Sequence, residues 1–387
     1  MSENPFQFGS EFSTDDLVGR SDEVRQVENT IRDGSRLFLI APRRFGKTSI
    51  LRAAEESMTR KGAIVLRVNA EAVPSPYALI EQILTGAAIR LKEHYEDGYE
   101  QMGRFFSRFR PEIRSGEDGE GVSVRINMDP YASGDQQINA LTDTLDCLDR
   151  MAAAQPDSRP VALIIDEFSA LASRGGEMAE AKIRSVTQQH QNIGYIFTGS
   201  NVRLMMDMTG KHNRPFYRGG MVYYIRTVPT DEFAVWLYAK FREGGFEVDG
   251  DEVTHSILSL AEEIPYNVQM LAHHCWEELR SQRRAKLTVS LVREVFKRTV
   301  NSLYPLFAHT WNQLSPVQQR TLVAFLRGNG RMNATEMARS AGFSDSSFKT
   351  ALRWLHEHDI LWNDFTGEGK KIRFEDPFFA QWVRINV

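Results

Sequence analysis

The fold is decided by the stretch Leu37-Phe38-Leu39-Ile40-Ala41-Pro42-Arg43-Arg44-Phe45-Gly46-Lys47-Thr48-Ser49. It begins as a short apolar, strand-like run, and the residues after Ser49 have a helical pattern. A loop that joins a strand to a helix in this way directs backbone N–H groups at an anion, and the helix dipole favours negative charge there. We therefore predict a phosphate-binding loop.

The residue types in this loop fit nucleotide binding. Lys47 is predicted to reach the β- and γ-phosphates, and the Thr48 hydroxyl to ligate Mg²⁺. Ala41 stands where such loops usually have a first glycine, which costs little if this position keeps a negative φ. The alternative is a chance Gly-Lys-Thr in an ordinary strand-to-helix turn. The predicted nucleotide-binding residues of the loop are Pro42, Arg43, Arg44, Phe45, Gly46, Lys47, Thr48 and Ser49.

Two adjacent acids follow another apolar run, in Val161-Ala162-Leu163-Ile164-Ile165-Asp166-Glu167. This pattern places both carboxylates at the carboxyl end of a buried strand, where open α/β sheets bind ligands. We predict that Asp166 holds Mg²⁺ and that Glu167 orients the water that attacks the γ-phosphate. The alternative is a strand that ends in acidic residues at the surface.

Two further residues are weaker catalytic candidates. Ser200 ends the next apolar strand and is predicted to contact the γ-phosphate or the attacking water, although Gly-Ser-Asn is also ordinary loop chemistry. Arg218 precedes the last strand of this half, where a guanidinium could stabilise transition-state charge in its own site or a neighbour's. A surface arginine without this role is the alternative.

The order of elements predicts an α/β P-loop fold with three domains. Strands alternate with helices up to residue 228, which predicts a mostly parallel sheet in an ATPase domain at 1–228. Helical patterns alone follow, giving a helical lid at 229–305. Three helices and a hairpin around Thr366-Gly367-Glu368-Gly369 then predict a winged helix at 306–387.

The segment 95–135 departs from this alternation. A glycine-rich acidic turn lies between two strand-like pieces in 111–126, which predicts a hairpin. Just before it, aromatic and arginine residues alternate in Phe105-Phe106-Ser107-Arg108-Phe109-Arg110. These arginines could contact nucleic acid or a partner, but we favour an amphipathic helix with packed Phe and solvated Arg side chains.

Composition excludes several classes of protein. The chain is 42% hydrophobic and 25% charged, which is typical of a soluble globular protein. Its net charge of −4 argues against a chain-wide polyanion-binding surface. Two distant cysteines make neither a disulfide framework nor a zinc site. No secretory signal or membrane-spanning run is evident, so we predict a cytoplasmic protein with no membrane association.

Several motifs together carry a family resemblance. Val18-Gly19-Arg20 with Glu23, the loop APRRFGKTSI, the runs ALIIDEF, FTGSN and PFYR, and the ending that starts at Asp376-Pro377-Phe378 look like prokaryotic ATPases of the STAND and archaeal-type AAA+ class. The resemblance implies a switch that binds ATP and Mg²⁺ and hydrolyses ATP. It also implies that the lid and winged helix respond to nucleotide and are paired with an effector protein or DNA.

The same resemblance assigns residues to the nucleotide base. It implies that Val18, Gly19 and Arg20 lie near the adenine and that Pro265 lines the base pocket. In the matching Gly-x-Pro motif, Glu263 replaces the flexible glycine.

Three hypotheses for function follow. The first is an ATPase switch in which nucleotide binds between sheet domain and lid. The second is a DNA-binding module of a mobile-element, replication or defence system. Residues 311–387 contain ten basic and eight acidic residues, a balance that leaves DNA contact open. The third is a nucleotide-gated homo-oligomeric scaffold that assembles through Arg218 and recruits an effector.

Overall fold

The computed structural model describes residues 3–9, 17–115, 121–328, 334–340, 342–364 and 371–387. The chain divides into two compact units. The first, called the sheet unit, contains Ser21–Ala41 and Lys47–Ile225. The second, called the C-terminal unit, contains Met1–Arg20, Pro42–Gly46 and Arg226–Val387. The division into three domains, with boundaries at 228 and 305, stays a prediction.

The sheet unit alternates strands and helices, as the sequence pattern predicts. In chain order its elements are α1 Ser21–Asp33, β1 Arg36–Ile40, α2 Lys47–Arg60, β2 Ile64–Asn69, α3 Pro76–His94, α4 Gly98–Phe105, β3 Glu112–Ser115, β4 Val122–Arg125, α5 Gly134–Ala153, β5 Val161–Asp166, α6 Phe168–Thr187, β6 Ile193–Gly199, α7 Val202–Gly210 and β7 Met221–Tyr224.

Five of these strands form a parallel sheet in the order β2-β5-β6-β1-β7. Every residue of β5 and β6 is buried, because a parallel sheet is covered by helices on both faces. The chain runs from β1 to the far edge at β2, while β6 and β7 pair with β1 on either side. Ligands bind at such a switch point, beyond the carboxyl ends of the strands. The predicted phosphate loop follows the carboxyl end of β1.

The predicted hairpin is present, since β3 and β4 pair antiparallel. Its turn, residues 116–120, lies outside the described residues. In the preceding segment α4 ends at Phe105, and Phe106 and Phe109 are buried. The nearby exposed arginines are Arg104, Arg108 and Arg110. This pattern of packed Phe and solvated Arg agrees with the structural alternative that the sequence favours.

The C-terminal unit is mainly helical. After Pro229 its elements are α8 Thr230–Glu243, β8 Glu247–Val248, α9 Asp251–Leu260, α10 Pro265–Ser281, β9 Lys286–Leu287, α11 Val289–Ser302, α12 Tyr304–Gln313, α13 Pro316–Gly328, α14 Ala334–Ser340, α15 Asp345–Glu357, β10 Leu361–Asp364, β11 Lys371–Phe374 and α16 Pro377–Asn386. β10 and β11 pair antiparallel. The predicted turn at Thr366–Gly369 lies outside the described residues.

An N-terminal segment contributes to the core of this unit. Phe6 is completely buried, with its ring against the rings of Trp236, Phe241 and Trp276. Burial of one phenylalanine side chain stabilises a fold by about 2 kcal/mol. Phe6 is therefore part of the core of the C-terminal unit.

Among the helices in the described ranges, none combines the length and the apolar character that a membrane span requires.

Candidate functional site

Lys47 begins α2 and is directed at two carboxylates of the sheet unit. Its ammonium forms an ion pair with Glu167, and its Nζ lies 3.7 Å from Oδ1 of Asp166. The Lys47 side chain is 8% exposed, so the charge is largely withdrawn from water. A buried ammonium needs anionic partners to offset its desolvation. In this structure Asp166 and Glu167 are these anionic partners.

The two acids lie where β5 turns into α6. Asp166 ends β5, and Glu167 adopts left-handed backbone angles (φ 50°, ψ 42°) before α6 begins. A residue other than glycine is strained in this conformation by about 1 kcal/mol or more, and such strained residues are common at functional sites. The turn is supported by the Glu167 N–H, which donates to Oδ1 of Asp166 at 3.0 Å.

The end of β6 fixes both carboxylates. The Thr198 hydroxyl, which is completely buried, donates to Oδ1 of Asp166. Ser200 donates to Oε2 of Glu167 from its backbone N–H at 2.8 Å and from its hydroxyl at 3.0 Å. The structure thus brings Lys47, Asp166, Glu167 and Ser200 together. The second oxygen of Asp166, Oδ2, takes no part in these contacts.

The environment keeps Glu167 ionised. Burial alone would raise its pKa, but the Lys47 ammonium and the two hydrogen bonds from Ser200 together lower the pKa below its ordinary value. At neutral pH the Glu167 side chain is therefore a carboxylate, which only accepts hydrogen bonds.

The loop residues Pro42–Gly46 belong to the C-terminal unit. Arg44 and Gly46 have positive φ values of 71° and 83°. Alternation of this kind turns successive N–H groups to one side, which makes an anion-binding concavity. Ala41 is not among the described residues with positive φ, so alanine in place of the usual glycine is unstrained.

The remaining loop residues differ in exposure. Arg43 is exposed, Phe45 is buried and Thr48 is partly exposed, while Ser49 is buried inside the first turn of α2. Thr48 therefore combines a hydroxyl group with partial exposure at the start of the helix, and metal ligation requires both.

The residues assigned to the adenine lie in the C-terminal unit. Arg20 is 2% exposed and donates from its guanidinium to the carbonyl oxygens of Phe45 at 3.1 Å and Arg226 at 2.7 Å. It therefore supports the loop directly. Pro265 is the first residue of α10. Proximity of Val18, Gly19, Arg20 and Pro265 to the adenine stays a prediction.

Glu263 takes a conformation that suits glycine. It has a positive φ of 59°, and the Thr230 hydroxyl donates to its carboxylate at 2.6 Å. The backbone geometry expected of the missing glycine is therefore present, and a specific hydrogen bond supports it.

Arg218 is not among the residues that the structure brings together around Lys47. It is exposed, has a φ of 52°, and its guanidinium lies 5.3 Å from the centre of the Tyr217 ring. Within the described part of the chain, no contact joins Arg218 to Lys47 or to either acid. Its loop is nevertheless fixed, because Arg184 donates to the carbonyl oxygens of Pro215 and Tyr217.

One contact of the loop is not predicted by the sequence. Arg44 pairs with Asp376, which lies 332 positions away. The Asp-Pro step at Asp376 does signal a helix start, since proline is favoured in the first helical turn. Nothing in the sequence indicates which residue this aspartate contacts.

Comparisons with known proteins give the fold. No family model matches the chain, and neither does any curated protein sequence. A solved Walker-type ATPase of Pyrococcus abyssi is similar, with a TM-score of 0.63 and 17% identity over 98% of this chain and 99% of that one. The ORC2 protein of Aeropyrum pernix, solved as complexes with ADPNP and ADP, has a TM-score of 0.55 and 13% identity over 95% and 94%. The chain has the fold of a P-loop AAA+ ATPase, with a C-terminal helical region.

This fold implies Mg²⁺, and the donor set fits it. The Thr48 hydroxyl and the Asp166 carboxylate are hard oxygen donors, which Mg²⁺ prefers. Among the described residues there is no group of three or more His, Cys, Asp or Glu side chains that could hold a metal alone.

Proposed function

We propose that this chain is a Mg²⁺-dependent ATPase that works as a molecular switch. The observation that carries the proposal is the buried contact of Lys47 with Glu167 at the carboxyl edge of the sheet. It combines a phosphate-binding cation with an ionised carboxylate that can orient water. The P-loop fold and the nucleotide complexes of the Aeropyrum pernix ORC2 protein support it.

Each side chain has a task in this proposal. When nucleotide binds, the Lys47 ammonium leaves the Glu167 carboxylate and pairs with phosphate oxygens, because the carboxylate and the phosphate are both anions within its reach. The Glu167 carboxylate is then free to accept a hydrogen bond from the attacking water, which it orients. Ser200 keeps Glu167 in place through two hydrogen bonds.

Thr48 and Asp166 would hold Mg²⁺, which neutralises phosphate charge when it is bound. Thr198 orients Asp166 by donating to Oδ1, which leaves Oδ2 for the ion. Arg43, Phe45 and Ser49 belong to the proposed phosphate loop and helix start.

The test is release of phosphate from ATP by the purified chain with Mg²⁺ and with excess chelator. We expect turnover only with Mg²⁺, and we expect Lys47→Ala to abolish it. Lys61→Ala is the matched control, because Lys61 makes a 3.2 Å surface ion pair with Glu28 just after the same helix. Activity of Lys47→Ala equal to that of Lys61→Ala would refute the proposal.

A second candidate function is DNA contact through α15. The exposed residues Ser346, Lys349, Thr350 and Arg353 recur at helical spacing, so they share one face of this helix. Hydroxyl and basic side chains are suited to phosphates and base edges. Together with α13, α14 and the β10–β11 pair, α15 fits a winged-helix domain, and this observation favours DNA as the partner coupled to nucleotide.

Fluorescence anisotropy with duplex DNA at two salt concentrations tests this candidate. We expect salt-sensitive binding that Lys349→Ala/Arg353→Ala weakens. The matched control is Arg283→Ala/Arg284→Ala, which removes two exposed arginines outside the helix. Equal weakening by both pairs would indicate non-specific charge attraction and reject α15 as the DNA-contacting face.

A role for Arg218 in a neighbouring copy is the third element of the proposal. The exposed Arg218 on a fixed loop suits charge stabilisation in the site of a second chain. Mixing Lys47→Ala with Arg218→Ala tests it, since a mixed assembly can combine an intact Lys47 with an intact Arg218. We expect recovered ATPase activity and a nucleotide-dependent mass increase in light scattering. Two inactive variants that stay inactive when mixed exclude action in trans.

A further inference from the structure

The phosphate-binding loop is part of the C-terminal unit, although the strand before it and the helix after it belong to the sheet unit. Within the loop, Arg44 has the left-handed φ of 71°. Glycine adopts this conformation freely, whereas arginine is strained in it and needs contacts that hold it there.

Arg44 has three such contacts. Its Nη1 donates to Oδ2 of Asp376 at 2.7 Å, and its guanidinium carbon lies 5.1 Å from the centre of the Tyr266 ring. Its carbonyl oxygen accepts from the Tyr266 N–H at 3.3 Å. Both the backbone and the side chain of Arg44 are therefore fixed by residues that follow the nucleotide-binding sheet in the chain.

Asp376 is itself rigidly placed. Its Oδ1 accepts from the N–H groups of Phe378 at 2.9 Å and Phe379 at 3.4 Å, which caps α16. The two oxygens of one carboxylate therefore join the start of α16 to the loop. Charge-assisted hydrogen bonds of this kind are shorter and stronger than neutral ones.

A neighbouring contact holds the loop in the same way. Phe45 is 1% exposed, and its ring packs edge-on against Trp362 of β10, with 5.4 Å between ring centres. Trp362 in turn donates from its indole N–H to the carbonyl oxygen of Phe374 in β11, at 3.2 Å. Arg44 and Phe45, which are adjacent in the loop, thus both contact residues near the C-terminal end of the chain, Asp376 and Trp362 respectively.

We propose that Asp376 is a positioning residue for nucleotide binding: through Arg44 it holds the phosphate-binding loop in its anion-receiving conformation. This regulation of the site rests on the proposed function. Nucleotide affinity then depends on α16 being in place, and bound nucleotide stabilises that placement in return, because coupling between two sites is reciprocal. A partner that displaces α16 would release nucleotide.

The first experiment needs no nucleotide. Hydrogen exchange of the peptide covering the loop is compared for the wild type, Asp376→Asn and Asp249→Asn. Asparagine is as good an N-cap as aspartate, so Asp376→Asn keeps α16 capped while it removes the charge. Asp249→Asn is the matched control, since it removes a 2.7 Å ion pair with Lys286 that involves no loop residue.

We expect exchange in the loop to accelerate about fivefold in Asp376→Asn and to stay unchanged in Asp249→Asn. Equal loop exchange in the wild type and Asp376→Asn would overturn the inference.

The second experiment measures affinity for a fluorescent ATP analogue. We expect Asp376→Asn and Arg44→Ala each to weaken binding about tenfold, and the double variant to be no weaker than the single ones, because both changes break one contact. Arg44→Lys, which keeps a cation for Asp376, should bind more tightly than Arg44→Ala. Wild-type affinity in Asp376→Asn would contradict the positioning role.

The two readouts separate the inference from the proposed function. A wild-type chain that binds no nucleotide defeats the ATPase proposal, while the loop exchange still decides whether Asp376 holds Arg44. A chain that binds nucleotide equally well with and without the Asp376 charge keeps the ATPase proposal and defeats the inference.

Discussion

Lys47 and Glu167, 120 positions apart in the sequence, form an ion pair in which both side chains are largely buried. The pair joins the cation at the start of α2 to the carboxylate just before α6. A buried pair of this kind is sensitive to loss of one partner, because the charge left behind is uncompensated. In this chain that charge is the one proposed to meet phosphate.

Replacing Glu167 with glutamine should separate binding from turnover. Lys47 loses its competing carboxylate and stays available to phosphate, so we expect ATP affinity to be kept or increased. Turnover should fall at least about hundredfold, because the amide cannot orient and polarise water as a carboxylate does. Titration with a fluorescent nucleotide and single-turnover hydrolysis measure the two quantities. Glu93→Gln, an exposed acid of α3, is the control, and hydrolysis retained in Glu167→Gln would remove its catalytic assignment.

The buried hydroxyl of Thr198 should govern the Mg²⁺ requirement. Thr198→Val keeps the side-chain shape but removes the hydrogen bond to Asp166, so Asp166 loses its fixed orientation. We expect the Mg²⁺ concentration for half-maximal hydrolysis to rise about tenfold. Thr187→Val is the matched control, since Thr187 is equally buried in the same unit but donates to the Ile183 carbonyl oxygen at 2.9 Å. An unchanged Mg²⁺ requirement would show that Thr198 is only structural.

The parts of the fold that depend on local pattern were predictable. Apolar runs such as 161–165 identify buried strands, and their order along the chain fixes a parallel sheet. Asp166 and Glu167 could be placed at the edge of the sheet because the chain reaches that edge where the apolar run ends. The same reasoning brought Ser200 to this edge from the next strand.

Contacts between distant residues were not predictable. Nothing in a single sequence shows that Lys47 pairs with Glu167 rather than standing free, or that Arg44 meets Asp376. The left-handed backbone of Glu167 and Glu263 was equally hidden, because glycine is the residue that normally signals this conformation. These features depend on packing, which periodicity does not report.

Adding one methyl group at Gly244 should destabilise the C-terminal unit. Gly244 has an ordinary φ of −75°, but a Cβ there would lie 1.9 Å from Cη2 of Trp276. We expect Gly244→Ala to lower the free energy of unfolding by about 1–3 kcal/mol, as measured by urea unfolding.

Gly245 provides the comparison. A Cβ there meets nothing within 4 Å, while its φ of 84° strains any other residue. In a Trp276→Phe background, Gly244→Ala should therefore lower the free energy of unfolding by less, because the smaller ring leaves space for the added methyl group. The loss of unfolding free energy caused by Gly245→Ala should be the same in both backgrounds. Equal effects of Trp276→Phe on both would contradict a steric cause.

Glu375 should make the stability of the C-terminal unit depend on pH. The pKa of Glu375 is raised to about 7, first by burial and then by the nearby Asp359 carboxylate, although Arg44 and Arg43 act in the opposite direction. Because the folded-state pKa lies above the unfolded value of 4.5, the protonated form is the one that folding favours. The associated stabilisation is complete below the unfolded pKa and is lost as the pH rises through the folded one. The full effect is about 3 kcal/mol.

Glu375→Gln tests this linkage, since glutamine resembles the protonated acid at every pH. We expect the free energy of unfolding of the variant, relative to the wild type, to increase by up to about 3 kcal/mol between about pH 5 and about pH 8. Glu247→Gln, an exposed acid of β8, should show no such change. Urea unfolding at several pH values measures the difference. A constant offset between Glu375→Gln and the wild type across this range would mean that Glu375 is ionised throughout, and that Arg44 and Arg43 outweigh its burial.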